Sequence, residues 1–224
     1  MISLVSDRQR WSAGPDELDA LDRLVSVVHA AAAAGIDVIQ IRERDLSTAE
    51  LVSLTARCVA AVKGTPARVV VNDRTDVALA AGAHGVHLRG DSIEARRVRE
   101  LLPAGALVGR SVHTAAEAAA IAREGGVDYL IFGTLFPTPS KHGPYPLTPV
   151  AELAAACAAA RGTVPVLAIG GMTVERAAAA VRAGAAGIAA IGLFIPPDGA
   201  SPDAHVRAVA TALRRVFDTC EAVP

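Results

Sequence analysis

Aromatic residues make up only 3% of this 224-residue chain, too few to build stacking platforms for nucleic-acid bases. No charge of one sign dominates: 22 Lys and Arg stand against 23 Asp and Glu, a net charge of -1. With no basic run either, nucleic acid is not an expected partner. Cysteine is scarce. Cys58, Cys157 and Cys220 are far apart and odd in number, which argues against a disulfide framework or a zinc site. No apolar run approaches the roughly 20 residues needed to span a bilayer, so no membrane partner is expected. The opening MISLVSDRQR passes from a short apolar run straight into charge and does not read as a secretory leader. Together these absences predict a cytoplasmic protein with reduced thiols.

What is present is aliphatic. Hydrophobic residues account for 52% of the chain, mostly Ala, Val, Ile and Leu, a composition suited to buried parallel strands under Ala-rich helices. Strands are predicted at Ile2–Val5, Val38–Ile41, Arg68–Val71, Gly85–Leu88, Leu107–Val112, Tyr129–Phe132, Val164–Ile169 and Gly187–Ile191, with helical spacing between them. Eight strand–helix units is the count that closes a (β/α)8 TIM barrel of the α/β class. AAGIDVIQI, AAGAHGVHL, EGGVDYLIFG and RAGAAGIAAIG repeat one grammar of helix end, Gly, short turn and aliphatic strand. Ser47 with Glu50 and Thr114 with Glu117 fit capping boxes, while Thr148-Pro149 and Ser201-Pro202 place Pro at the first helical position. The competing fold, an open doubly wound sheet, would carry a glycine fingerprint after the first strand, and none is there. No linker divides the chain, so residues 1–224 are expected to form one domain. The long irregular stretch Thr134–Leu147 after strand six is a candidate substrate flap.

Candidate chemistry gathers at the strand tips. In PVLAIGGMT, Gly170-Gly171 follow an apolar strand and Thr173 opens a helix, so backbone N–H groups and the helix dipole favour an anion. With Ile191-Gly192 after strand eight, this is where many barrels hold phosphate; a tight turn without ligand is the plainer alternative. Gln40, Arg42 and Arg44 alternate in VIQIRERD, which aims Arg42 into the barrel mouth. An inward guanidinium needs a phosphate or carboxylate partner, and Asp73 is the internal candidate. Arg44, past the strand end, could equally be solvated. Asn72 and Asp73 suit Mg2+ or diphosphate contacts, or Asp73 caps the next helix. His113, close to Ser111 in VGRSVHT, is placed for general acid/base work, against the alternative of a bystander near a helix cap. His84 and His87 are three apart in a strand and face opposite ways, so they are not a metal pair. Thr138, Ser140 and Lys141 in FPTPSKHG offer hydroxyls and a cation for capturing phosphate, or form an ordinary solvated loop.

The ordered series LVSDR, QIRERD, VVVNDR, GVHL, GRSVHT, FGTLFPTPSK, VLAIGGMT and GIAAIGLF resembles the thiamine phosphate synthase/TenI family through nearly the whole chain. In the synthases of that family, a pyrimidine diphosphate ionises and a thiazole phosphate nitrogen captures the carbocation. The resemblance implies that Gln40, Arg42, Asn72 and Lys141 hold the pyrimidine diphosphate. Asp73 would bind Mg2+, and Ser111 would sit near the reacting centre. Thr138 and Ser140 would line the flap, and Gly171 and Gly192 would hold the thiazole phosphate. Two departures stand out: Arg44 replaces a lysine, and Ser92 stands where a second metal-binding Asp is usual. Asp91 is one residue away, and a shifted carboxylate in a tight turn rarely reaches the same metal. The TenI-type thiazole tautomerases move a proton on a thiazole carboxylate phosphate without metal, using the histidine that matches His113. RER, GRSVH and FGTLFPT resemble that branch, whereas Asn72-Asp73 and Ser140-Lys141 resemble the synthases. The expectation is therefore a thiazole tautomerase needing no cofactor, with the Mg2+-dependent synthase as the alternative. A barrel that only binds or senses ligand is the option from another class. Small barrels often pair through exposed helices, which leaves a homodimer open.

Overall fold

The computed structural model describes residues 1–11, 19–140, 145–197 and 200–220. Eight parallel strands follow the chain in order: β1 (Ile2–Val5), β2 (Val38–Ile41), β3 (Arg68–Asn72), β4 (Gly85–Leu88), β5 (Leu107–Val112), β6 (Tyr129–Phe132), β7 (Val166–Ile169) and β8 (Gly187–Ala190). Each pairs with the next, and β1 meets β8 through Ile2↔Ile188 and Ser3↔Ala189, so the sheet closes into a barrel. Eight helices cover it: α1 (Ala20–Ala33), α2 (Thr48–Ala61), α3 (Thr75–Ala80), α4 (Ala95–Leu101), α5 (Ala115–Glu124), α6 (Val150–Ala160), α7 (Val174–Arg182) and α8 (Pro202–Thr219). This is the (β/α)8 barrel expected from the alternation of aliphatic runs and helical spacing.

The boundaries differ from expectation in small ways that have physical causes. β7 starts at Val166 rather than Val164, because Pro165 has no N–H to give to the ladder. The capping box at Ser47 and Glu50 is complete, with Ser47 N donating to Glu50 Oε2 at 2.9 Å. At Thr114 only half forms: its hydroxyl accepts from Glu117 N, but the Glu117 carboxylate accepts from His113 N at 2.6 Å. Helix α6 is capped by Pro149 itself, one residue later than the sequence pattern predicts, while Ser201 caps α8 with Pro202 inside its first turn. Among the described residues no helix is long and apolar enough to cross a membrane.

Period two sorts the strand side chains into two cores. Leu4, Ile39, Ile41, Val69 and Val71 point outward and pack with helix residues such as Leu24, Val28, Leu54 and Leu153. Val38, Val70, Tyr129, Ile131 and Leu167 fill the barrel interior. Tyr129 is completely buried there. It fits because β5 carries Gly109, where an added Cβ would come within 2.2 Å of the Tyr129 ring. Above this plug the next inward layer includes Gln40, Asn72, His87 and Ser111, and these polar groups floor the cavity at the C-terminal mouth.

Candidate active site

The cavity at the C-terminal mouth measures about 850 Å³ and takes residues from every strand tip. At and beyond the end of β2, Gln40, Arg42 and Arg44 all line it. Gln40 Nε2 donates to Asn72 Oδ1 at 2.9 Å, joining the tips of β2 and β3. Glu43, between the arginines, points away and is buried. It accepts from Ser6 Oγ at 2.5 Å and from Arg8 Nη1 at 3.0 Å, and Ser6 Oγ in turn accepts from Arg42 N at 2.8 Å. This network ties the β1 loop to β2. Arg42 is half-buried, and burial followed by the nearby Arg44 charge lowers its pKa. Among the described residues no carboxylate pairs with its guanidinium. Arg44 is exposed at the rim.

Asp73 has neither of the two partners that local sequence offered it. The expected ion pair to Arg42 does not form, and the position capping α3 belongs to Arg74, which makes no side-chain cap bond. Instead Asp73, in the left-handed region at φ 60°, accepts from the Ser92 hydroxyl and lies 3.6 Å from Arg89 Nη1. Arg89 also pairs with Asp91. The guanidinium thus holds both carboxylates.

On the far side of the mouth, His113 Nδ1 lies 2.5 Å from the Gly133 carbonyl. A carbonyl only accepts, so Nδ1 carries a proton. Ser111 lines the floor, with its Oγ 2.9 Å from His87 Nε2. Gly170 and Gly171 have φ of 107° and 57°. A Cβ on Gly170 would meet Leu135 N at 2.8 Å, and one on Gly171 would meet the Pro137 carbonyl at 2.4 Å. These glycines are therefore required by the close approach of the segment after β6, before any anion is considered. Ile191 and Gly192 face the same corner. In that segment Thr138 Oγ1 lies 2.9 Å from Ser140 Oγ. Lys141 falls outside the described residues.

The family model described as thiamine monophosphate synthase matches residues 14–194. The chain belongs to that family. It is 40% identical over 190 residues to the thiamine-phosphate synthase of Roseiflexus castenholzii, covering 83% of this chain and 79% of that one. It is 39% identical over 165 residues to that of Methanoculleus marisnigri, covering 74% and 77%. The solved thiamine phosphate pyrophosphorylase from Pyrococcus furiosus superposes with a TM-score of 0.75 at 28% identity, over 97% of this chain and 95% of its own. Membership of the thiamine monophosphate synthase family makes the chain an enzyme of thiamine biosynthesis. The names of these relatives favour the transferase over the isomerase that local sequence preferred.

Two arginines that line this cavity escaped sequence reasoning. Arg10, in the 3-10 turn Arg8–Trp11 after β1, lies against Gly192, where an added Cβ would be 3.4 Å from its guanidinium. Its Nη1 is buried without a hydrogen-bond partner. Arg176, in the first turn of α7, donates from Nη1 to the Gly171 carbonyl at 2.5 Å and lies 4.6 Å from the Phe136 ring centre. Neither position has a periodicity that would reveal it. The donor set for Mg2+ does not fit a preformed two-carboxylate site: Asp73 and Asp91 share the Arg89 cation, and Ser92 supplies a neutral hydroxyl. Among the described residues no group of three or more His, Cys, Asp or Glu could hold a metal.

Proposed function

We propose that this chain is a single-domain thiamine-phosphate synthase, joining a pyrimidine diphosphate to a thiazole phosphate. The observation that carries the reading is a mouth lined by two sets of arginines, Arg42 and Arg44 after β2 and Arg10 against Gly192 after β8, with room for two substrates. At about 850 Å³ the cavity is near the top of the roughly 300–1,000 Å³ range of small-molecule sites. The first set, beside the Gln40–Asn72 pair, suits a diphosphate. The second, with Gly171 close by, suits a single phosphate. Names of relatives 38–40% identical to this chain point the same way.

In this reading the methylene–oxygen bond of the pyrimidine diphosphate breaks, and its electron pair leaves with the diphosphate. The thiazole nitrogen lone pair then forms the new carbon–nitrogen bond. Arg42 and Arg44 stabilise the charge that develops on the leaving oxygens, because an arginine without a carboxylate partner is free to take it up. Arg10 fixes the thiazole phosphate so that the nitrogen faces the reacting carbon. Ser111, at the floor of the mouth, contacts the pyrimidine. Thr138 and Ser140, whose hydroxyls lie 2.9 Å apart at the mouth, donate to the phosphates.

A second reading, proton transfer on a single phosphorylated thiazole, draws on one specific pair of features. His113 presents a free Nε2 at the rim, and Arg89 pairs with both Asp73 and Asp91, the carboxylates that a metal would need. Two variants separate the readings. His113→Ala leaves thiamine phosphate synthesis within a few-fold of the parent and abolishes isomerisation if that is the true reaction. Arg42→Ala lowers synthesis at limiting pyrimidine diphosphate. Loss of a measurable isomerase activity in His113→Ala, with no synthase activity in the parent protein, would sink the synthase.

A further inference from the structure

At the floor of the cavity, side chains from β4, β5 and β6 form a polar chain of which the scheme above uses only one end. His87 is 2% exposed, its Nε2 lies 2.9 Å from Ser111 Oγ, and its Nδ1 lies 3.3 Å from Tyr129 Oη. The two rings stack with centroids 5.5 Å apart. Tyr129 is wholly enclosed in the space that Gly109 leaves.

Counting donors decides which way the protons point. A neutral imidazole has one N–H and one lone pair. Among the described residues, the Tyr129 hydroxyl proton has Nδ1 of His87 as its one acceptor. Turned away from Nδ1, it would be a buried donor with no partner, which costs more than a hydrogen bond gains. Tyr129 therefore donates to Nδ1, so Nε2 carries the imidazole proton and donates to Ser111 Oγ. With that oxygen accepting from His87, the serine's own proton is left for the cavity.

We propose that Tyr129 and His87 form a directional relay that fixes Ser111 as a hydrogen-bond donor to the substrate. Ser111 then selects a substrate that presents a lone pair at this point, such as a ring nitrogen, over one that presents N–H. His87 and Tyr129 are positioning residues. The substrate end of the relay rests on the reading above that Ser111 contacts the pyrimidine. Burial pushes the His87 pKa down to about 3, so the ring stays neutral and the relay keeps its direction through the neutral range.

The first test needs no substrate. Nitrogen-15 NMR of the histidine-labelled, ligand-free protein, with His87 identified by the signals missing from His87→Gln, reports its tautomer directly. The expected result is a bare Nδ1 and a protonated Nε2; the opposite tautomer, or an imidazolium at neutral pH, overturns the relay. The second test is a double-mutant cycle on thiamine phosphate formation from pyrimidine diphosphate and thiazole phosphate. Tyr129→Phe keeps the ring that fills the barrel and lowers kcat/KM about threefold to tenfold, the worth of one hydrogen bond. In a Ser111→Ala background the same change has no further effect. An equal fall in both backgrounds overturns the relay and makes Tyr129 a packing residue only. If Ser111→Ala itself leaves kcat/KM unchanged, Ser111 does not contact substrate, and both that assignment and the donor role fail. The tautomer measurement separates that outcome from a failure of the relay's direction.

Discussion

Lowering the pH from 7 to 5 weakens this fold by about 2 kcal/mol through His87 alone. The magnitude follows from its burial. In the unfolded chain the imidazole titrates at an ordinary value near 6.5, whereas in the barrel desolvation moves it to about 3. The folded value is depressed, so below pH 6.5 the unfolded chain takes up a proton that the folded protein refuses until about pH 3. Stability is complete above 6.5 and falls through that window. At about 1.4 kcal/mol per pH unit, the loss nears 2 kcal/mol by pH 5 and about 4–5 kcal/mol at pH 3. Against a total stability of about 5–15 kcal/mol this is large. Urea midpoints of the parent and of His87→Gln, measured at pH 7, 6 and 5, isolate the contribution. The comparison also removes the part due to His84, whose pKa burial lowers in the same direction. Parallel pH profiles for the two proteins would refute the argument, since they would mean that His87 carries its proton in the fold.

Three further outcomes follow from the site. Arg10→Ala raises the KM for thiazole phosphate about tenfold to hundredfold, the worth of a charged hydrogen bond, and leaves the KM for pyrimidine diphosphate nearly unchanged in steady-state kinetics. Arg89→Ala releases Asp73 and Asp91, so calorimetric titration of the ligand-free variant shows tighter Mg2+ binding than the parent; equal or weaker binding would mean that Arg89 does not compete with the metal. Glu43→Ala removes the buried acceptor of Ser6 Oγ and of the Arg8 N–H while Arg8 keeps Asp45, and costs about 1–3 kcal/mol in urea unfolding.

The barrel was legible because each strand is a short aliphatic run closed off by a glycine turn, and that grammar recurs down the chain. The strand-tip residues Gln40, Arg42, Asn72 and Ser111 were legible for the same reason: period two says which side chains face inward. What local patterns miss is anything assembled by approach in space. Arg10 reaches Gly192 from the opposite end of the sequence, and its short segment SDRQR has no periodicity. Arg89 takes both Asp73 and Asp91, which displaced the expected Arg42–Asp73 pair. Asp73 looked like a cap because a carboxylate before a helix usually is one; its φ of 60° and its bond from Ser92 turn it elsewhere. His87 lies in β4, but Tyr129 lies 42 residues further on, so the relay had no sequence signature. The lean towards a proton-transfer enzyme rested on Ser92 in place of a metal-binding Asp and on the segments RER, GRSVH and FGTLFPT, all local features. The cavity's volume and its two sets of arginines are properties of the whole mouth.

The most direct test is to incubate the purified protein with pyrimidine diphosphate, thiazole phosphate and Mg2+, and to measure thiamine phosphate by fluorescence after oxidation. The account predicts thiamine phosphate formed mole for mole with released diphosphate. No thiamine phosphate, together with metal-free aromatisation of a thiazole carboxylate phosphate that His113→Ala abolishes, would contradict it and make this barrel an isomerase.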